Sequence, residues 1–139
     1  MPSAGGAAIQ MTRSGGFAPQ VSLDEKWLCY SRYQTHGLWC VPIAGGAERQ
    51  ILNSVLEGSW TMGPGGIYYF EISTEPDAPK PVKFYSFESC QSAQIGTVAA
   101  TVLENPNNPT TSVSRDGHWL LYTDSINREA DLMLVDRFR

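Results

Sequence analysis

The sequence predicts an all-β fold made of three consecutive copies of one small antiparallel sheet. Composition is the first observation: 13 glycines and 9 prolines accompany only 17% charged residues, which favours many short strands joined by tight turns. The second observation is that a segment near the N-terminus recurs near the C-terminus. The third is that each copy divides into short runs of bulky β-forming residues separated by turn residues.

The repeat carries most of this prediction. Residues 22–30 match residues 114–122 at an offset of 92, with five of the nine positions identical. Residues 62–70 have the same shape, a turn followed by bulky β-formers, at an offset of 40 from the first copy. Repeats of roughly 20–50 residues are typical of solenoids and propellers. We therefore expect three consecutive β-propeller blades in a single domain over residues 1–139.

The first copy, blade 1, is expected over about 17–52. Its strands are predicted, in chain order, at 20–23, 27–32, 37–43 and 48–52. Asp24, Glu25 and Lys26 form the first turn, and Gly45 and Gly46 form the last.

The second and third copies follow the same plan. Blade 2, over about 58–103, has strands predicted at 59–62, 67–73, 82–89 and 95–103, with a proline-containing connection at 75–79. Blade 3, over about 109–139, has only three, predicted at 111–114, 119–124 and 131–136. A spare outermost strand is predicted at 7–13, so the extra strand at one end matches the vacancy at the other.

Apolar residues in these strands come in unbroken runs, as at 27–30, 67–70 and 119–122. Such runs indicate sheets that are covered on both faces, as blades between two neighbours are.

These residues resemble the TolB-type, WD-like propeller repeats. In that family a Ser-x-Asp-Gly-x-Trp-Leu-x-Tyr strand pair is followed by a Gly-Leu-Trp-x-Val-Pro-x-x-Gly-Gly pair. Residues 114–122 fit the first half and residues 37–46 fit the second, and the resemblance covers nearly the whole chain. Glu25 stands where the family usually has Gly, which is tolerable if that residue does not need a positive φ.

The resemblance implies a ring of six or seven blades, which three blades alone do not close. The chain is therefore expected to be a fragment or one part of an oligomeric ring. A lone half-ring would expose two apolar faces and leave the edge at 132–135 unpaired. We expect a homodimer of six blades in which the strand at 7–13 of each copy completes the third blade of its partner.

Catalytic and cofactor motifs are missing from the sequence. There is no Gly-x-Ser-x-Gly, no glycine-rich phosphate loop, no His-Glu-x-x-His and no Cys-x-x-Cys. His36 and His118 are expected at solvated turn positions, and Asp24 and Asp116 are expected to cap backbone N–H groups in their turns. We expect no enzyme activity, no cofactor, no metal and no catalytic residue.

Charge and hydropathy exclude two further classes of partner. The net charge of −4 with no cluster of Lys and Arg argues against a nucleic-acid partner. No signal peptide and no run of 18 apolar residues is found in this chain, so no membrane partner is expected and the compartment is left open.

The repeated aromatic residues have two interpretations. They line a carbohydrate or peptide site, or they pack between blades, and their repeat positions favour packing. These residues are Trp27, Trp39, Trp60, Trp119, Tyr30 and Tyr122. Trp60 is set apart because it lies on the predicted innermost strand of the second copy.

The three cysteines do not fit a zinc site or a disulfide scaffold. If Arg32 and Gly37 close their hairpin, Cys29 and Cys40 lie directly opposite each other. A disulfide there requires a non-hydrogen-bonded pair with suitable Cβ separation. We expect free thiols at both positions and at Cys90, all three small, buried and behaving as hydrophobic residues.

The function expected from this sequence is non-enzymatic binding of a protein or small ligand, together with assembly. Two alternatives stay open. The chain is the accessory propeller of a serine peptidase, or it is the C-terminal sensor part of a bacterial transcriptional regulator, as a resemblance of residues 131–139 to the ends of such proteins suggests.

Overall fold

The computed structural model describes residues 5–33, 35–72, 75, 78–98, 110–126 and 129–136. Within them the chain forms eleven strands and no helix. The strands make three antiparallel sheets of 4, 4 and 3 strands. The all-β prediction is confirmed, and so are the three sheets of four, four and three strands.

The strands follow one another as meanders. The first sheet contains β1 (Phe17–Val21), β2 (Trp27–Arg32), β3 (Thr35–Pro42) and β4 (Arg49–Leu52). The second contains β5 (Trp60–Gly63), β6 (Gly66–Phe70), β7 (Lys80–Ser86) and β8 (Gln91–Val98). The third contains β9 (Thr111–Val113), β10 (Trp119–Ile126) and β11 (Glu129–Asp136).

The largest error in the predicted bounds concerns the β7–β8 hairpin. The strand predicted at 82–89 ends at Ser86, and β8 begins at Gln91 rather than at residue 95. The backbone N–H of Cys90 donates to the Ser86 carbonyl at 2.9 Å, and Cys90 has a φ of 55°. This turn contains no Gly, Pro, Asn or Asp, and Ser89 is its one residue of a common turn-forming type, so its sequence signals a turn only weakly. Residue 73 of the strand predicted at 67–73, residues 99–103 of the strand predicted at 95–103 and residues 137–139 at the end of blade 3 lie outside the described residues.

The predicted spare strand at 7–13 is not a strand of any sheet in the described chain. None of the eleven strands in the described part of the chain pairs with it. The expected pairing with a second copy is a contact between chains, and it stays a prediction.

The repeated Ser-x-Asp turn is the same structure in the first and third sheets. Ser22 N–H donates to the Trp27 carbonyl at 2.9 Å, and Ser114 N–H donates to the Trp119 carbonyl at 2.9 Å. In each turn the serine hydroxyl accepts a hydrogen bond from the backbone N–H of the tryptophan, at 2.9 Å in the first sheet and 3.0 Å in the third. The local sequence is therefore sufficient to build the turn in both places.

The condition under which Glu25 would be tolerated without strain, a turn that needs no positive φ at this residue, is not met. The φ of Glu25 is 57°, close to the values of 73° at Gly65 and 72° at Gly117, the equivalent residues of the other two copies. The turn requires the left-handed conformation at this position, and Glu25 adopts it at the steric cost of its Cβ.

The core consists of two apolar clusters on opposite faces of the second sheet. Alternation along β6 sends Ile67 and Tyr69 into the cluster shared with the first sheet, and Tyr68 and Phe70 into the cluster shared with the third. Every residue of β6 is buried. For the second sheet the expected burial on both faces is confirmed.

The first strands of the three sheets are neighbours, with β1 beside β5 and β5 beside β9. Gln20 on β1 joins the first pair, because its side-chain carbonyl accepts the Met62 N–H at 2.8 Å and its amide donates to the Trp60 carbonyl at 3.3 Å. Thr110 N–H donates to the Gly58 carbonyl at 3.0 Å, which ties the approach to β9 to the approach to β5.

Candidate functional site

The outer side of the third sheet is an exposed apolar surface, which we call the open face. It is formed by Trp119, Leu132 and Leu134, which are 41%, 71% and 58% exposed. The register pairs Leu121 with Leu134 and Thr123 with Leu132, which puts these positions on the side opposite the core residues Leu120 and Tyr122. Exposed apolar surfaces of this kind mark sites of protein interaction.

The open face is bordered by an open strand edge. The third sheet has the order β11-β10-β9, so within the described residues β11 is paired on one side only. In the first and second sheets a fourth strand occupies the equivalent place. An unpaired edge offers a row of N–H and C=O groups to an added strand.

The outer side of the first sheet, which we call the covered face, is different. Its residues Tyr30 and Val41 are only 1% and 3% exposed. Gly16 lies so close to the Tyr30 ring that a Cβ there would overlap it. Met11 and Arg13 join Val41 in lining a cavity of about 510 Å³. Residues 11–16 therefore lie against the side of the first sheet that faces away from the second.

A charged network stabilises the covered face. The Tyr30 hydroxyl donates to one carboxylate oxygen of Glu48, and the Arg32 guanidinium is paired with the other. The guanidinium also lies 3.6 Å from the centroid of the Trp39 ring, within cation–π distance. Hydrogen bonding from Tyr30 is the main cause that lowers the pKa of Glu48, and the bond and charge of Arg32 lower it further. Burial raises the pKa of the Tyr30 hydroxyl.

Two donors of this network are left over. Arg32 Nε and Trp39 Nε1 are buried and have no hydrogen-bond partner within the part of the chain that the structure describes. Buried polar groups in proteins are nearly always paired, so these two N–H groups are exceptions to that rule. The covered face thus contains two buried donors that have no acceptor among the described residues.

Another cavity lies at the turn end of the first and second sheets. It has a volume of about 630 Å³ and is lined by residues that include Trp27, Phe87 and Pro64. Lys26 lies 3.3 Å from Asp24 in an exposed ion pair, and Glu88 adds a second carboxylate to the lining. This cavity has no strongly charged wall that would select one kind of ligand.

The predicted capping aspartates have the structural role expected of them. Asp24 Oδ1 accepts the Ser22 hydroxyl at 2.6 Å and the Lys26 N–H at 3.2 Å, and Asp116 Oδ1 accepts the Ser114 hydroxyl at 2.5 Å and the His118 N–H at 3.1 Å. The serine hydroxyl is in each case the main cause that lowers the pKa of the carboxyl.

The two histidines are both exposed, but only one lies in a turn. His118 lies in the Ser-x-Asp turn, with Nδ1 3.3 Å from Asp116. His36 lies in strand β3, which corrects its predicted turn position. No group of three or more metal-ligating side chains is found among the described residues. Nor do those residues include a helix able to cross a membrane.

The aromatic residues divide between the core and the surface. Trp60 is 1% exposed, and its indole N–H donates to the Ser31 hydroxyl at 3.0 Å, so it packs in the core and does not face a ligand. Trp119 is the exception. Its place in the repeat predicts packing in the core, but its side chain lies on the open face. The Arg32–Glu48–Trp39 network was not predicted, although the register that opposes Tyr30 and Trp39 follows from the hairpin.

The expectation of free thiols at Cys29 and Cys40 is wrong. The two residues are directly opposite in the β2–β3 register and form a disulfide, with Cα atoms 4.1 Å apart. Ile43 N–H donates to the Lys26 carbonyl, so alternation along the ladder makes Cys29 and Cys40 a non-hydrogen-bonded pair. That is the pair type in which the side chains approach most closely. Cys90 is a free thiol, as predicted, but the expected burial is wrong, because Cys90 is exposed in the turn between β7 and β8.

No family model matches this chain, and a search of curated proteins finds no match either. The likeness to the TolB-type repeats therefore depends on the turn and strand residues described above.

Proposed function

We propose that this chain is a three-blade β-propeller segment that acts as a non-enzymatic module for binding and assembly. Three features support the propeller interpretation. The first strands of successive sheets are adjacent, as the innermost strands of blades are. Apolar clusters join the second sheet to both of its neighbours. The same Ser-x-Asp turn begins β2 and β10.

The open face is the observation that carries the assembly proposal. Its large apolar side chains and the free edge of β11 are what a further blade and a further strand would cover. Two copies arranged head to tail supply both. The open face of each copy then packs on the covered face of the other, which closes a ring of six blades.

The N-terminal segment supports the same arrangement. Residues 11–13 lie against the covered face, where the sheet preceding the first would lie in a ring. Ile9 is 79% exposed, so the preceding residues are free to pair outside their own chain. In the proposed dimer, residues 7–13 add to β11 of the partner copy and complete its third sheet to four strands.

Sedimentation velocity at micromolar concentration tests the dimer. The expected result is one species of twice the 15.3 kDa chain mass. Leu134→Asp is expected to give the monomer. It places a charge in the centre of the open face, which the dimer would bury, and burying that charge costs several kcal/mol. Leu23→Asp is the matched control: Leu23 is also an exposed leucine, but it lies in the Ser-x-Asp turn outside both faces.

A single wild-type species near 15.3 kDa would overturn the dimer. That result would instead place the open face against another part of a longer polypeptide, as the peptidase and regulator alternatives require. Equal dissociation of the Leu134→Asp and Leu23→Asp variants would show that the open face is not the contact.

A further inference from the structure

All three cysteines lie at the contact between the first and second sheets. Cys40 and Cys90 both line a cavity of about 310 Å³, together with residues that include Trp27, Tyr85 and Phe87. Cys29 does not line this cavity and is 0% exposed. A free cysteine and one member of the disulfide therefore line the same small space, and the other member of the disulfide does not.

The turn that carries Cys90 is held at the first sheet. The Phe87 ring stacks with Trp27 at a centroid distance of 6.3 Å and meets Tyr85 edge to face at 5.9 Å. Tyr85 belongs to the same apolar cluster as Cys40 and lines the cavity together with Cys90. Burial is the main cause that raises the pKa of Tyr85, and its contact with Cys90 raises it further, so the phenol stays protonated at neutral pH.

A protonated phenol beside the thiol is a hydrogen-bond donor for a thiolate. Cys90 itself is exposed and lies in the four-residue turn between β7 and β8, where its thiol donates a weak hydrogen bond to the Phe87 carbonyl at 3.7 Å. These are the conditions for attack on a disulfide: an accessible thiolate, a donor that stabilises it and a reachable sulfur.

We propose that Cys90 and the Cys29–Cys40 disulfide undergo intramolecular thiol–disulfide exchange. The Cys90 thiolate attacks Cys40 Sγ, a Cys40–Cys90 bond forms, and the Cys40–Cys29 bond breaks with Cys29 as the leaving thiolate. The proton lost by Cys90 is returned to Cys29, and no external oxidant or reductant is consumed. The chain thus has two covalent forms, one bridged within the first sheet and one bridged between the first and second sheets.

The exchange changes which elements are held together. The Cys29–Cys40 bond spans 11 residues and joins two strands that are already hydrogen-bonded. The Cys40–Cys90 bond would join separate sheets and would close a longer loop, which restricts the unfolded chain more strongly. This proposal is independent of the propeller assignment and of the dimer, because it uses only contacts between the first two sheets.

Trypsin places each cysteine on its own peptide, which makes the two forms easy to distinguish. Cleavage after Lys26, Arg32, Arg49, Lys83 and Arg115 puts the cysteines on residues 27–32, 33–49 and 84–115. Mass mapping of disulfide-linked peptides, after acid quenching and alkylation of free thiols, then reports the bridged pair directly.

The first test compares Cys29→Ser with Cys40→Ser. Both variants lose the native disulfide and keep two thiols, so they are matched in what they remove. After incubation with oxidised glutathione, Cys29→Ser is expected to form the Cys40–Cys90 bridge in most molecules. Cys40→Ser is expected to form at least tenfold less Cys29–Cys90 bridge. Equal bridging in both variants, or no bridge in a natively folded Cys29→Ser protein, would overturn the proposal.

The second test uses the wild-type chain and does not depend on the folding of a variant. In anaerobic buffer without added thiol, the 33–49 and 84–115 peptides are expected to become linked. The rate should rise about tenfold per pH unit between pH 6 and 8, because the thiolate is the nucleophile. Cys90→Ser should abolish the linkage. Complete absence of this link in the wild-type chain at pH 8.5 would overturn the proposal.

Discussion

A single φ value separates the first copy of the repeat from the other two. Three equivalent turns require a left-handed residue, and two of them use glycine, at Gly65 and Gly117. Glu25 meets the same requirement with a side chain. The turn forms nonetheless, because the Asp24 carboxylate accepts hydrogen bonds from the Ser22 hydroxyl on one side and from the Lys26 N–H on the other. Glu25 is therefore less favourable for the stability of its turn than the glycine found at the equivalent position of the other two copies.

Replacing Glu25 by glycine should stabilise the protein. We expect a gain of about 0.5–1 kcal/mol in the free energy of unfolding, since the strain of a left-handed Cβ exceeds the entropy that glycine adds to the unfolded chain. Gly117→Glu should cost about 1–2 kcal/mol for the reverse reason. Urea denaturation at neutral pH measures both.

Lys26→Gly is the control for this pair. Lys26 is adjacent and has no positive φ, so glycine there should cost about 0.5–1 kcal/mol. If Glu25→Gly and Lys26→Gly destabilise the protein equally, the left-handed turn does not explain position 25.

At the scale of single strands, one network of Tyr30, Arg32 and Glu48 stabilises the covered face of the first sheet. The covered face of the first sheet places Tyr30 and Arg32 on one side of β2, where both reach Glu48 beyond the β3–β4 turn. The main cause that lowers the pKa of Glu48 is the hydroxyl of Tyr30, and the ordinary value for this carboxyl is 4.5. The ionised carboxylate is therefore the form that stabilises the face.

Tyr30→Phe tests this network through its pH dependence. A lowered native pKa adds stability above the unfolded value of 4.5, and that stability is lost as the pH falls through the native pKa. Removing the hydroxyl should cost about 1–2 kcal/mol at pH 7, because the bond is buried and charge-assisted. The cost should shrink at acidic pH, and carbon-detected NMR titration should show the pKa of Glu48 raised.

Tyr69→Phe is a suitable control, because its hydroxyl also makes one side-chain bond, to the Ser92 hydroxyl at 3.0 Å, but to a neutral partner. Its cost should not vary between pH 3 and pH 7. A Tyr30→Phe cost that is equally independent of pH would contradict the role assigned to Glu48.

The order of the strands and the number of strands in each of the three sheets could be predicted from the sequence. Ser22, Asp24 and their repeats at 114 and 116 act on backbone groups only a few residues away, so their sequence specifies the turn wherever it occurs. The β7–β8 turn was missed because its left-handed residue is Cys90, which is not a turn former. The Cys29–Cys40 register was predicted correctly, but the bond itself depends on a Cα separation that only the folded hairpin has.

The whole molecule has one protected end and one unprotected end. Residues 11–16 cover the first sheet, whereas the third sheet presents the open face and the free edge of β11. The proposed dimer explains this asymmetry, since each end then meets its complement in the other copy. Its strand exchange depends on residues 7–13 forming a hydrogen-bonded ladder.

Ile9→Pro is the sharpest probe of that ladder. Proline has no N–H to donate and is not tolerated inside a paired strand, so the dimer dissociation constant should rise at least tenfold. Ile9→Val keeps the N–H and the β-branched side chain, and it should leave dimerisation unchanged. Analytical ultracentrifugation across a concentration series measures both. Equal behaviour of the two variants would mean that residues 7–13 do not pair with β11.

The amino-acid sequence alone was enough to predict an all-β chain of three sheets, because turn-forming and strand-forming residues determine the backbone conformation within a few positions of themselves. Burial of the second sheet on both faces also followed from its unbroken apolar run. Coverage of the two outer faces, the Arg32–Glu48 pair, the disulfide and the cavity shared with Cys90 did not follow from it. These features join residues that are distant along the chain, and their contacts exist only once the strands and sheets have packed against one another.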